Sequence, residues 1–163
     1  MNFSRECEYA VRGMVALAGA SPGQAITLQE VAAQDNLPAG FLSKIFQKLV
    51  RHALIESHRG TQRGYTLARP AREITLRQIL EAIEGPDLFV RCVFSHRRCG
   101  EEGQCLIHPY WRGLRGEVTK LFEEVSLRDL AASANRPSAE GGSSEDRPEE
   151  PAWIRTKVRA LYS

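Results

Sequence analysis

This chain lacks most of the features that announce an enzyme or a membrane protein. No apolar run approaches the roughly 20 residues that a bilayer-spanning helix needs. The first ten residues already carry Arg5, Glu6 and Glu8, so they do not read as a charged, then apolar, then small-residue leader. A soluble, cytoplasmic protein is expected. No internal repeat, Walker loop, dinucleotide fingerprint or Ser/His/Asp constellation is present, so no set of base, nucleophile and oxyanion donors can be assembled and no catalysis is expected. Cysteine is scarce as well: there are four in 163 residues, and three of them crowd into one short stretch. An odd trio without a secretory context is a poor disulfide framework, and a reducing compartment would leave it as thiols and thiolates.

The formal net charge of +2 becomes informative once it is divided along the chain. Residues 1–80 hold ten Lys and Arg against six Asp and Glu, whereas residues 81–130 hold seven against nine. Positive charge is densest over residues 40–75, with seven basic and two acidic side chains. That bias permits nucleic-acid binding without establishing it.

Hydrophobic spacing then gives the elements. Ser4 can cap a helix to about residue 18, with Ala10, Met14 and Leu17 on one stripe. Thr27 and Glu30 make a capping box for a short helix to about residue 34, burying Leu28, Val31 and Ala32. A third helix spans about 39–51, with Leu42, Ile45, Phe46 and Leu49 at core spacing and Ser43, Lys44, Gln47 and Lys48 on the other face. Two helices joined by a tight turn, the second with polar and basic residues outward, match a helix-turn-helix. Residues 54–67 read as two short strands around a tip at Gly60 to Gly64, flanked by Arg59 and Arg63. A basic hairpin in that place is a wing suited to phosphates or a narrow minor groove. Each of these side chains alone would pass for a solvated surface residue; the order of the elements is what points to DNA.

Thr75 and Gln78 form a second capping box, opening a helix that Gly85 and Pro86 stop. Pro109 suits the first turn of a long helix to about residue 125. Its apolar positions Trp111, Leu114, Val118, Leu121, Phe122 and Val125 make a stripe that the remaining chain is too short to cover, so a second subunit is expected on it. Ser126 caps a short terminal helix, and residues 133–151, rich in Ser, Gly, Glu and Pro, read as a disordered linker before a short basic amphipathic end. The resulting organisation is a mostly α protein with a small β-hairpin: a winged helix-turn-helix over 1–85, a cysteine-rich loop over 86–108, a dimerisation helix and short terminal helix over 109–132, and a tail over 133–163.

Within that loop, Cys92, Cys99, Cys105 and His108 stand among Gly100, Gly103, Glu101 and Glu102, a composition too polar for a core element. Three soft thiolates and an imidazole suit zinc, copper(I) or an iron–sulfur cluster.

With helix-turn-helix, wing and cysteine loop in this order, the chain resembles the IscR/NsrR/RirA-type iron–sulfur transcriptional regulators. The resemblance covers about residues 1–132 and rests on the opening Glu8-Tyr-Ala-Val11, on Arg59 and Gly60, on Gly64 and Tyr65, on the three cysteines, and on Trp111 and Arg112. It implies a homodimer whose long helices cross and whose paired winged helices read a two-fold symmetric operator in double-stranded DNA. It also implies a cluster on Cys92, Cys99 and Cys105, with His108 completing a 2Fe-2S site as in IscR. A 4Fe-4S cluster that borrows its fourth ligand, Glu8, from the first helix of the other subunit is the NsrR-like alternative. The wing tip, Thr61-Gln62-Arg63, is bulkier and more basic than the glycine-rich tip usual in that family. Two rival readings stay open: a zinc- or thiol-based DNA regulator using the same ligands, and an iron–sulfur electron carrier or cluster-delivery protein, which would have no use for a wing.

Overall fold

Helix α1 (Arg5–Ala18) is the element on which the others converge, because its buried stripe of Cys7, Ala10, Gly13, Met14 and Leu17 is long enough to meet several partners. The coordinates are those of a computed structural model, which describes residues 3–21, 23–34, 37–60, 63–92, 98–99 and 107–134. The expected tail, from residue 135 on, and the wing tip at Thr61 and Gln62 lie outside them.

After α1 come α2 (Leu28–Gln34), α3 (Ala39–Arg51), the strands β1 (Ile55–His58) and β2 (Gly64–Leu67), a 3-10 turn (Ala71–Glu73), α4 (Leu76–Glu84), α5 (His108–Glu124) and α6 (Leu127–Ala134). The capping boxes form as spaced. Thr27 N–H donates to Glu30 (2.7 Å) while Glu30 N–H donates to Thr27 Oγ1 (3.3 Å), and Thr75 and Gln78 repeat the exchange at α4. Ser4 departs from expectation. Its side chain makes no cap bond, and its backbone N–H donates instead to the Glu84 carboxylate at 3.2 Å.

Leu42, Ile45, Phe46 and Leu49 of α3 are fully buried against α1. Gly13 makes that approach possible, since a Cβ there would lie 2.8 Å from the Phe46 ring. Helix α3 ends in a Schellman motif, Leu54 N–H to Leu49 O and Ala53 N–H to Val50 O (both 3.0 Å), with Ala53 in the left-handed region at φ 51°. That stop turns the chain sharply from α3 into the wing. β1 and β2 pair antiparallel with Ile55 opposite Leu67 and His58 opposite Gly64, and Ile26 adds a bridge to Tyr65 on the far side of β2. Gly64 is required there: a Cβ would stand 2.7 Å from Ile26 O.

The second half is tied on differently. Residues 125–127 return to the start of α4 through Leu76 N–H to Val125 O (2.9 Å) and Leu127 N–H to Ile74 O (2.8 Å). Arg77 of α4 pairs with Glu81 and Glu123 and lies 5.4 Å over the Phe89 ring. Phe89 and Phe3 both pack on Phe122, with ring centroids 5.9 and 5.8 Å apart. None of the seventeen residues of α5 is buried. Among the described residues, no helix is long and apolar enough to cross a membrane.

Candidate functional site

Two surfaces emerge from the residues that the sequence singled out. The first lies between α2, α3 and the wing. Because α3 buries Leu42, Ile45, Phe46 and Leu49, its opposite side carries Lys44 and Gln47 into solvent, with Ser43 half-buried beside them. Arg59 and Arg63, both exposed, leave the two ends of the hairpin. A cleft of about 330 Å³ runs between these elements, lined among others by Ser43, Arg59 and Arg63 together with Thr27, Gln29 and His58. None of the last three was expected at this surface from the sequence. The Thr27 capping box marks the start of α2, but only the Ile26 bridge to Tyr65 brings that start to the wing. His58, at the tip end of β1, is held by Thr66 Oγ1, 2.8 Å from its Nε2.

Lys48 does not join this surface. Its Nζ pairs with Glu6 Oε2 of α1 (2.5 Å) and donates to the carbonyl of Ile83 in α4 (3.3 Å). The carbonyls of a last helical turn lack intrahelical donors and carry partial negative charge, so a cation is well placed there. A side chain expected to face DNA thus ties three helices together from a half-buried position.

The second surface is the thiol segment. Arg91 and Arg98 form an antiparallel bridge, and Cys99 N–H donates to Val90 O at 2.9 Å. Residues flanking a bridged pair point to its opposite side, so Cys92 and Cys99 share one face. His108 opens α5, and its Nδ1 lies 3.2 Å from Cys99 Sγ. Cys105 falls outside the described residues, and no group of three or more His, Cys, Asp or Glu side chains able to hold a metal occurs among those described. The donors present nevertheless fit a metal or cluster: a thiol and an imidazole in contact, with a second thiol on the same face as the first.

Glu8 is exposed on α1 and pairs with Arg12 at 2.8 Å. Cys7 is buried, and its thiol is pushed up to about 12, first by burial and then by the Glu84 carboxylate to which Sγ donates at 3.4 Å. It therefore remains protonated and is a poor metal ligand. Partial burial pushes the Glu84 carboxyl up, but hydrogen bonds from Ser4 and Cys7 and the Lys48 charge outweigh it and hold the group below its ordinary value.

The expected dimerisation stripe divides. Leu114 and Leu121 are 53% and 41% exposed, and Tyr110, absent from the expected set, is 80% exposed. Trp111, Val118 and Val125 are half-buried. Phe122 serves the chain's own core through Phe3 and Phe89.

Comparison with known proteins identifies the family. The Rrf2 family, described as an iron-dependent transcriptional regulator, matches residues 3–133. An HTH-type transcriptional regulator of Mycobacterium tuberculosis is 37% identical over 134 residues, covering 82% of this chain and 83% of the relative. The HTH-type transcriptional regulator IscR of Cereibacter sphaeroides is 32% identical over 141 residues, covering 84% and 91%. Among solved structures, CymR, the global cysteine regulator of B. subtilis, superposes with a TM-score of 0.71 at 24% identity, covering 82% of this chain and 98% of its own. The oxidized form of Staphylococcus aureus CymR gives 0.64 at 27% identity, covering 80% and 96%.

Proposed function

From the premise that this chain belongs to the Rrf2 family of DNA-binding transcriptional regulators, we propose that it acts as a homodimer whose thiol segment controls how its two winged helices grip a two-fold symmetric operator. The observation that carries this reading is the contact between Cys99 Sγ and His108 Nδ1, which sets two donors of the expected ligand set side by side at the head of α5. Cys92, Cys99, Cys105 and His108 would hold an iron–sulfur cluster, 2Fe-2S first and 4Fe-4S with Glu8 as the alternative. Such a cluster supplies one-electron redox chemistry and sensitivity to oxygen, nitric oxide and iron supply.

The chain's own residues do the rest. His108 begins the helix whose exposed Tyr110, Leu114 and Leu121 would meet the second copy, so ligation at His108 acts at one end of the dimer contact. Ser43, Lys44 and Gln47 would enter the major groove, while Arg59 and Arg63 reach the flanking backbone or minor groove. Recognition helices in a dimer must meet grooves about 34–36 Å apart, so a small change in the α5 contact alters affinity for both half-sites together.

The test is oxygen-free purification followed by iron and acid-labile sulfide counts and an absorption spectrum. The wild type should carry both elements, and Cys99→Ala should lose them while remaining a folded dimer. Full cluster occupancy in Cys99→Ala would overturn the assignment. A second reading, a zinc- or thiol-based regulator, is favoured by the same donor pair and by the likeness to S. aureus CymR, solved in an oxidized form. Its signature would be a colourless protein with zinc, or with no metal, and no sulfide.

A further inference from the structure

The last turn of α4 receives two cations from two different working parts of the molecule. The Ile83 carbonyl accepts from Lys48 of the recognition helix at 3.3 Å, and the Glu84 carbonyl accepts from Arg91 Nη2 of the thiol segment at 3.4 Å. These acceptors are adjacent in sequence, and both belong to the helix end whose carbonyls need outside donors. The Glu84 carboxylate is fixed in turn by Ser4 N–H and Cys7 Sγ, while Lys48 is fixed by Glu6, so the start of α1 clamps both sides of the same point.

We propose that this end of α4 is the joint through which the thiol segment sets the orientation of α3, with Lys48 as its positioning residue. Arg91 precedes Cys92 and is paired with Arg98, which precedes Cys99, so a change of state at those cysteines is felt directly at the Glu84 carbonyl. Lys48 lies one helical turn beyond Lys44 on α3, so the anchor that holds it also sets the angle at which Lys44 and Gln47 face outward. The two carbonyls, one residue apart, make the coupling a matter of direct contact rather than of distance. This inference rests on the regulator reading above and adds the route within each subunit.

The test uses the full-length protein and a duplex selected from a random-sequence pool by the loaded wild type. Affinity is measured for anaerobic loaded protein and for protein stripped of iron by a chelator, in the wild type, Lys48→Met, Glu6→Gln and Lys48→Arg. The wild type should show a ratio between the two states on the order of tenfold, equivalent to about 1.4 kcal/mol. Lys48→Met and Glu6→Gln should bring that ratio to within about twofold of unity, keep wild-type iron and sulfide content, and leave the salt dependence of binding unchanged. Lys48→Arg should restore the ratio. Should Lys48→Met fail to fold, Glu6→Gln reads the same joint from α1. A Lys48→Met protein that keeps the wild-type ratio overturns the joint alone. One whose salt dependence falls by about one counterion in both states overturns it too, by making Lys48 a phosphate contact. A wild type with no ratio brings down the regulator reading along with it.

Discussion

Two glycine-containing helices of this chain stand in opposite conditions. In α1, Gly13 is pressed so closely by Phe46 that a Cβ would lie 2.8 Å from the ring; in α5, Gly113 and Gly116 meet nothing within 4 Å. The winged half buries Met14, Leu42, Ile45, Phe46 and Leu49 to 0%, whereas α5 buries none of its seventeen residues and leaves Leu114 and Leu121 in solvent. One half supplies most of a continuous core, which Leu88, Phe89 and Leu127 complete from beyond it. The other carries an apolar face that a single copy leaves uncovered, which is the physical ground for the proposal that a second copy covers it.

That contrast can be broken most forcefully at Phe46. Phe46→Ala should cost about 3–5 kcal/mol of folding stability, read by denaturant unfolding, because it empties the contact between α1, α3 and Tyr65. Gly13→Ala should cost about 1–3 kcal/mol through overpacking against the same ring. Ala53→Gly should act in the other direction, raising stability by up to about 1 kcal/mol, since it relieves a left-handed alanine at the end of α3. A loss there would mean that the turn into the wing is set by something other than backbone strain. Smallest in effect on the fold of each chain is the pair Leu114→Asp with Leu121→Asp, expected to keep the helical circular dichroism while sedimentation shifts to the monomer. A double variant that stays dimeric would place the subunit contact elsewhere.

Much of the fold was legible because it is encoded locally. The capping boxes at Thr27 and Thr75 and the core stripes of α1 and α3 fall where their spacing puts them, and Ser126 N–H donates to Asp129 as a third box would. The misreadings come from contacts made across the chain. Lys48 looks like a neighbour of Lys44 on an outward face, but Glu6, 42 positions upstream, pairs with it at the side of the helix. Ser4 stands at the N-cap as its position predicts, but its side chain makes no cap bond, and its N–H goes to Glu84, 80 positions downstream. Phe122, read as interface, also packs on Phe3 and Phe89 of its own chain, which its spacing along α5 does not reveal. The thiol site was legible as a set of donors, but the Cys99 and His108 contact depends on α5 beginning at His108 itself, which the Pro109 signal placed one residue later.

The central claim is that the state of the thiol segment decides how firmly the two winged heads hold DNA. The most direct measurement is the equilibrium affinity of oxygen-free wild-type protein for its selected duplex, before and after removal of iron and sulfide, at one salt concentration. The account predicts a difference on the order of tenfold between the two forms. Equal affinity in both, or an anaerobic preparation without inorganic sulfide, would contradict it.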